Sequence, residues 1–311
     1  MSAGGADHMV RSGDYTAAVT EVGGGLRMLE HRGRPLVRPY AAGDVRPRYR
    51  GSLLAPWPNR VAGGRYRFSG QEHQLPLTEP ERGNALHGLV CWERFAVERL
   101  DEATVVATHA LVPRPGYPFR LVVTATYALG EDGLTTTVTG HNDGDIPLPW
   151  GTGAHPYLVA GDGSGPVDRW ELRAPASRVL AVDPERLLPA DPPTTTPVAG
   201  GDLDFTSSRR IGTTTIDHAF TGLVADDDGL ARVHLVEPDS GAGARITWDP
   251  ASLPWLQLHT ADLAPPETSR AGLAAEPMTC PPDAYGSGVD LVVLGPGERH
   301  SVWWRIGAIG D

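Results

Sequence analysis

Apolar and polar residues alternate with a period of two along much of this chain. The alternating or β-branched runs fall at Thr104–Ala110, Leu121–Leu129, Leu134–His141, Ala231–Leu235, Arg245–Thr247 and Leu256–Thr260. Such alternation predicts strands with one face against a core and the other toward solvent. Turn-forming clusters separate the runs, and Asn142-Asp143-Gly144-Asp145 and Asp226-Asp227-Asp228-Gly229 read as hairpin-type turns. Near the C-terminus, Val289–Leu294, the turn Gly295-Pro296-Gly297-Glu298 and Ser301–Ile306 predict a further hairpin. No amphipathic helix of three turns emerges, and 38 glycines with 29 prolines would interrupt most candidates. The expected class is all-β, a large antiparallel sandwich, although periodicity alone leaves a barrel or propeller open. Arg186–Pro197 is flanked by strand-like sequence and is expected to be a long surface loop rather than a linker. The expectation is therefore one domain over residues 1–311, with residues 1–12 a flexible tail.

Composition narrows the partners. The net charge of −11 is spread along the chain, which disfavours nucleic acid and anionic membranes. No run approaches the ~18 apolar residues of a spanning helix, and the N-terminal residues do not read as a signal peptide. Cys91 and Cys280 are expected as free thiols in a cytoplasmic protein. All 27 basic residues are arginine, which excludes Schiff-base, pyridoxal-phosphate and Walker-type chemistries that need a lysine amine.

The candidate chemistry sits in a few short segments. His155 in GTGAHPYLV and His87 in NALHG have small neighbours that leave room for a ligand, and Pro156 fixes the chain leaving the first. Glu276 in GLAAEPMTC is a carboxylate in an apolar stretch, costly to bury unless it faces a pocket or an arginine. A histidine and a carboxylate can act together as general acid and base. No histidine pair has zinc-site spacing, and the Asp226–Gly229 cluster lacks the later ligands of a calcium loop, so no metal is expected. His31, His73, His109, His141, His234 and His300 read as structural or surface residues.

Taken in order, APWPNRVAGGRY (Asn59, Arg60), NALHG (His87), GYPF, HPY (His155), DHAF (Asp217), EP (Glu276) and LGPGE resemble the aldose 1-epimerase (galactose mutarotase) family. The resemblance implies a cofactor-free isomerase acting on a free monosaccharide, as a monomer or homodimer. It implies that Glu276 accepts the anomeric hydroxyl proton while His155 protonates the ring oxygen. It also implies that His87 bonds the reacting oxygens and that Asn59, Arg60 and Asp217 hold sugar hydroxyls. From reference values, Glu276 is expected to be ionised near pH 7, where a histidine such as His155, with a reference pKa of about 6.5, can hold its proton.

Three positions depart from the commonest family pattern: Ala154 for Asn, Leu89 for Gly and Met278 for Gln. They resemble a bacterial branch whose members include a sulfoquinovose mutarotase, so the sugar stays open. The competing readings are a glycoside hydrolase with Asp217 and Glu276 as its pair, a non-catalytic sugar sensor, and a hexose-6-phosphate epimerase. The last would use Arg46, Arg48 and Arg50, whose simpler reading is a solvated strand edge.

Overall fold

The structure is a computed structural model that describes residues 3–262 and 268–310. Its largest layer is a nine-stranded antiparallel sheet. In spatial order it runs Ala96–Arg99, Thr104–Leu111, Leu121–Gly130, Gly133–Asn142, Arg299–Ile309, Gly243–Trp248, Ala231–Val236, Glu171–Arg173 and Arg209–Arg210. An eight-stranded sheet holds Thr195–Pro197, Ala176–Leu180, Asp217–Leu223, Trp255–His259, Leu273–Met278, Gly153–Ala154 and Leu53–Leu54, with Tyr157–Leu158 also on Leu273–Met278. One apolar cluster joins them, with Val123, Ala125, Val138, Ile246 and Trp304 from the first sheet and Phe220, Leu256, Leu258 and Ala275 from the second. Among the described residues the only α-helix is the four-residue Ala284–Ser287. The expected all-β sandwich is the observed one.

The alternation was a good guide to strands and a poor one to their partners. None of the three expected hairpin turns joins neighbours in one sheet. Asn142–Asp145 leads from the nine-stranded sheet to Leu148–Trp150, which pairs with Val292–Leu294. Asp226–Gly229 carries the chain from the eight-stranded sheet to the nine-stranded one. Two of its three carboxylates are taken by arginine, Asp226 by Arg173 and Arg232 and Asp228 by Arg232. The C-terminal hairpin also fails to form, because Arg299–Ile309 pairs with Gly133–Asn142 and Gly243–Trp248 instead. Asn142 holds that junction, its side-chain amide donating to the carbonyls of Leu294 and Ile146 at 2.8 Å. Longer ladders elsewhere outcompeted the local turn.

Two further expectations change. The N-terminal tail is strand from Asp7: Asp7–Ser12 pairs along its length with Tyr15–Thr20, and Val10 is fully buried. The ladder and that buried side chain offset the entropy that would otherwise free a terminus. The Arg186–Pro197 segment is not loop throughout, since Thr195–Pro197 forms the edge of the eight-stranded sheet on Ala176–Leu180.

Candidate functional site

Three adjacent strands of the eight-stranded sheet build the floor. In register, Asp217 lies opposite His259, and Gln257 lies opposite both Ala219 and Glu276. Residues opposite one another, or two apart, share a face. Asp217, Gln257, His259 and Glu276 therefore project from one face, while Phe220, Leu256, Leu258 and Ala275 project from the other into the core. A cavity of about 440 Å³ stands on the polar face, within the usual range for small-molecule sites. Asn59, Arg60, His87, His155, Asp217 and Glu276 all line it, so the six residues singled out in the sequence come together there. Gln257, His259, Glu79, Tyr49 and Tyr157 line it too.

His155 Nε2 stands 3.5 Å from Glu276 Oε1, with side chains 7% and 2% exposed. Their other polar atoms, His155 Nδ1 and Glu276 Oε2, are buried with no hydrogen-bond partner among the described residues. An unpaired buried polar atom is costly, and such atoms are rare unless a ligand or function accounts for them. Burial drives Glu276 well above the ordinary carboxylate range, and the nearby negative charge of Asp217 adds to that. Burial pushes His155 well below its ordinary value, with His259 adding. Both directions favour neutral groups. Against the expected carboxylate and imidazolium, both shifts therefore run toward a carboxylic acid and a neutral imidazole, because burial disfavours either charge.

His87 is held differently. The Asn59 backbone N–H donates to His87 Nδ1 at 3.2 Å, and the His87 N–H donates to the Asn59 carbonyl at 2.8 Å. A backbone N–H can only donate, so Nδ1 accepts and the proton of neutral His87 sits on Nε2. Burial, with His155 adding, keeps this ring neutral, well below its ordinary value. Both residues occupy left-handed backbone, Asn59 at φ 55° and His87 at φ 61°. Gly88 follows at φ 75°, where a Cβ would stand 2.0 Å from the Ala55 carbonyl oxygen. Only glycine permits that approach.

A polar chain runs on from here. Asn59 Nδ2 donates to Gln257 Oε1 at 3.2 Å, and Gln257 Nε2 donates to Asp217 Oδ1 at 2.7 Å. Asn59 Oδ1 accepts from the Arg60 backbone N–H at 3.0 Å. The Arg60 guanidinium is clamped in a fork on Glu79, both contacts at 2.9 Å. Burial raises Glu79, but hydrogen bonds from Arg60 and Asn84 outweigh it and leave the carboxyl below its usual range. Of the arginines considered for a phosphate, Arg46 is buried away from the cavity and donates to Ser52, Thr20 and the carbonyls of Val22 and Cys91. Arg48 lines the cavity, and Arg50 lies 5.8 Å from the Tyr157 ring. Arg48 and Arg50 line one pocket beside Tyr157, Arg46 does not join them, and none of the three lies on a strand edge.

Sequence reasoning missed Gln257, His259, Glu79 and Tyr49. The first two had a signal, since Leu256 and Leu258 facing the core put their neighbours on the opposite face. Glu79 and Tyr49 lie in irregular segments with no periodicity to read.

Fold and cavity together define a galactose mutarotase-type sandwich with a buried histidine–glutamate pair on its polar face. Residues 8–307 match the aldose 1-epimerase family, and the chain belongs to it. Among curated relatives, it is 36% identical to the uncharacterized protein YihR of Escherichia coli K12, over 95% of this chain and 91% of that one. It is 25% identical to an Escherichia coli K12 aldose 1-epimerase, over 81% and 73% of the two chains. Of solved structures, galactose 1-epimerase from Lactobacillus acidophilus NCFM superposes with a TM-score of 0.81 at 19% identity, covering 98% of this chain and 95% of that one. At that identity the likeness speaks for the fold.

Proposed function

We propose that this protein is an aldose 1-epimerase, interconverting the α and β anomers of a free aldose. The observation that carries the reading is the His155–Glu276 pair at 3.5 Å, sealed at the floor of a polar cavity in a chain of this family. Anomer exchange needs one base to take the proton from O1 and one acid to protonate the ring oxygen. A carboxylate with an imidazolium, or a carboxylic acid with an imidazole, holds the same number of protons and supplies one of each. A proton passing from Glu276 to His155 as sugar hydroxyls enter the cavity prepares the reacting form. Glu276 then removes the O1 proton as His155 protonates the ring oxygen. The C1–O5 bond breaks, C1 becomes the aldehyde, and rotation about C1–C2 presents its other face. Closure runs the two transfers in reverse.

His87 Nε2–H is a donor for the reacting oxygens, and its neutral ring adds no charge that would compete for the proton. Asp217, held by Gln257, accepts from sugar hydroxyls, and Arg60, oriented by Glu79, donates to them. Such groups suit a neutral polyol. No step requires a cofactor. In the hydrolase reading the histidines have no role. In a hexose-6-phosphate reading the arginine trio would have to converge on the phosphate, and Arg46 is committed elsewhere.

Polarimetry of freshly dissolved α-glucose, α-galactose and a sulfonated hexose tests the proposal. Acceleration by the wild type that vanishes in Glu276→Gln is expected for at least one of them. No acceleration with any, alongside ligand-induced thermal stabilisation, would turn the reading toward a sugar sensor.

A further inference from the structure

The turn that covers the two histidines is unusual in its backbone. Arg48 (φ 50°), Tyr49 (φ 58°) and Gly51 (φ 65°) are left-handed, so two consecutive non-glycine residues sit in a region costly for L side chains. Strain of this kind persists only where the surroundings impose it, and it concentrates at functional sites. Here the imposing contacts come from His155 itself. The Gly51 N–H donates to the His155 carbonyl at 2.8 Å, and the His155 N–H donates to the Ser52 carbonyl at 3.1 Å. The Tyr157 hydroxyl donates to the Arg48 carbonyl at 3.4 Å. Gly51 cannot be replaced to relax the turn, since a Cβ there would lie 1.8 Å from the Leu26 carbonyl oxygen.

The product of this strained, pinned turn is the placement of one ring. The Tyr49 centroid is 4.7 Å from His87, edge-on, and 6.2 Å from His155, near-parallel at 21°. The imidazoles meet each other edge-on at 5.0 Å, and Tyr157 lies near-parallel to His155 at 5.1 Å. Among the described residues, His155 Nδ1 has no hydrogen-bond partner to fix its plane. Ring packing has to do what a hydrogen bond does for His87. Trp92 backs Tyr49 from outside, centroid to centroid 5.9 Å.

We propose that Tyr49 is a positioning residue, whose ring, held by the left-handed Arg48–Tyr49 backbone and packed edge-on against His87, fixes together with Tyr157 the plane of His155 for proton transfer. Tyr49 acts through its ring and not its hydroxyl, which is not required to reach the sugar. The inference rests on the anomer-exchange reading for its kinetic consequence and on geometry alone for the plane of His155.

The test compares Tyr49→Phe, Tyr49→Met and wild type, the methionine filling the space without a planar face. On the sugar that wild type accelerates, Tyr49→Phe is expected to keep kcat within about twofold. Tyr49→Met is expected to lose roughly 10- to 100-fold in kcat with KM changed little, the scale on which small misplacement acts. Histidine ¹⁵N and ¹³C NMR of the unliganded protein gives the second readout: the His155 and His87 ring resonances should shift or broaden in Tyr49→Met and stay in place in Tyr49→Phe. Unchanged kcat and unchanged ring resonances in Tyr49→Met would overturn the proposal, as would a loss confined to KM or to thermal stability. Should wild type accelerate no sugar, the function reading falls while the NMR comparison still decides the role of Tyr49.

Discussion

The two faces of one three-stranded stretch of sheet, Asp217–Leu223, Trp255–His259 and Leu273–Met278, have opposite relations to their surroundings. On the core face, Phe220, Leu256, Leu258 and Ala275 are buried against like groups and every contact is met by packing. On the cavity face, Gln257 and Glu276 are 4% and 1% exposed, yet Glu276 Oε2 has no hydrogen-bond partner among the described residues. One face is closed by apolar packing; the other presents polar groups to the cavity. Alternate residues of a single strand therefore meet different surroundings, Leu258 the apolar core and Gln257 the polar cavity.

Substitutions on the two faces should separate activity from stability. The largest effect is expected from Glu276→Gln, which should lower kcat by about 10²- to 10⁴-fold without lowering Tm, as read by polarimetry and calorimetry. A Tm that fell with activity would mean Glu276 belongs with the core. Next, Leu258→Ala should cost ~2–5 kcal/mol in denaturant unfolding through the cavity it leaves. Protein that remains folded should retain most of its kcat, and a kcat loss as large as that of Glu276→Gln would erase the contrast between faces.

Gln257→Met removes the amide that joins Asp217 to Asn59. Leaving those two groups short of a partner should cost ~1–3 kcal/mol, and it should appear mainly as a raised KM in steady-state kinetics. A change in kcat alone would place Gln257 closer to proton transfer than its bonds suggest.

The smallest effect is a pH dependence of stability. A carboxyl whose folded pKa is raised above its reference of 4.5 gives the folded state extra proton affinity, so its contribution is full below 4.5 and is lost as pH rises toward the folded value. Wild type should thus lose stability relative to Glu276→Gln as pH climbs from 4.5, measured by parallel thermal melts. His87 runs the other way. Its depressed pKa costs wild type stability as pH falls below 6.5, so His87→Gln should gain on wild type in that direction. Parallel curves for Glu276→Gln and wild type would mean that water reaches the carboxyl.

By itself the sequence determined the strands, through period-two alternation. Small residues, a proline and a stranded carboxylate are local signs, and they marked the segments bearing His87, His155 and Glu276; the order of the motifs, through the family resemblance, added Asn59, Arg60 and Asp217. Tertiary structure decided which strands pair. Each expected hairpin turn proved a crossover or a corner, since a long ladder such as Gly133–Asn142 on Arg299–Ile309 outweighs any turn preference. Tertiary structure also turned the N-terminal residues from tail into strand and buried Arg46 away from the cavity. It recruited Tyr49 and Glu79 from irregular segments and, by burial, shifted the His155–Glu276 pair toward neutral forms. Those features depend on the water excluded and the groups brought near from distant parts of the chain, and neither quantity is written in a local pattern.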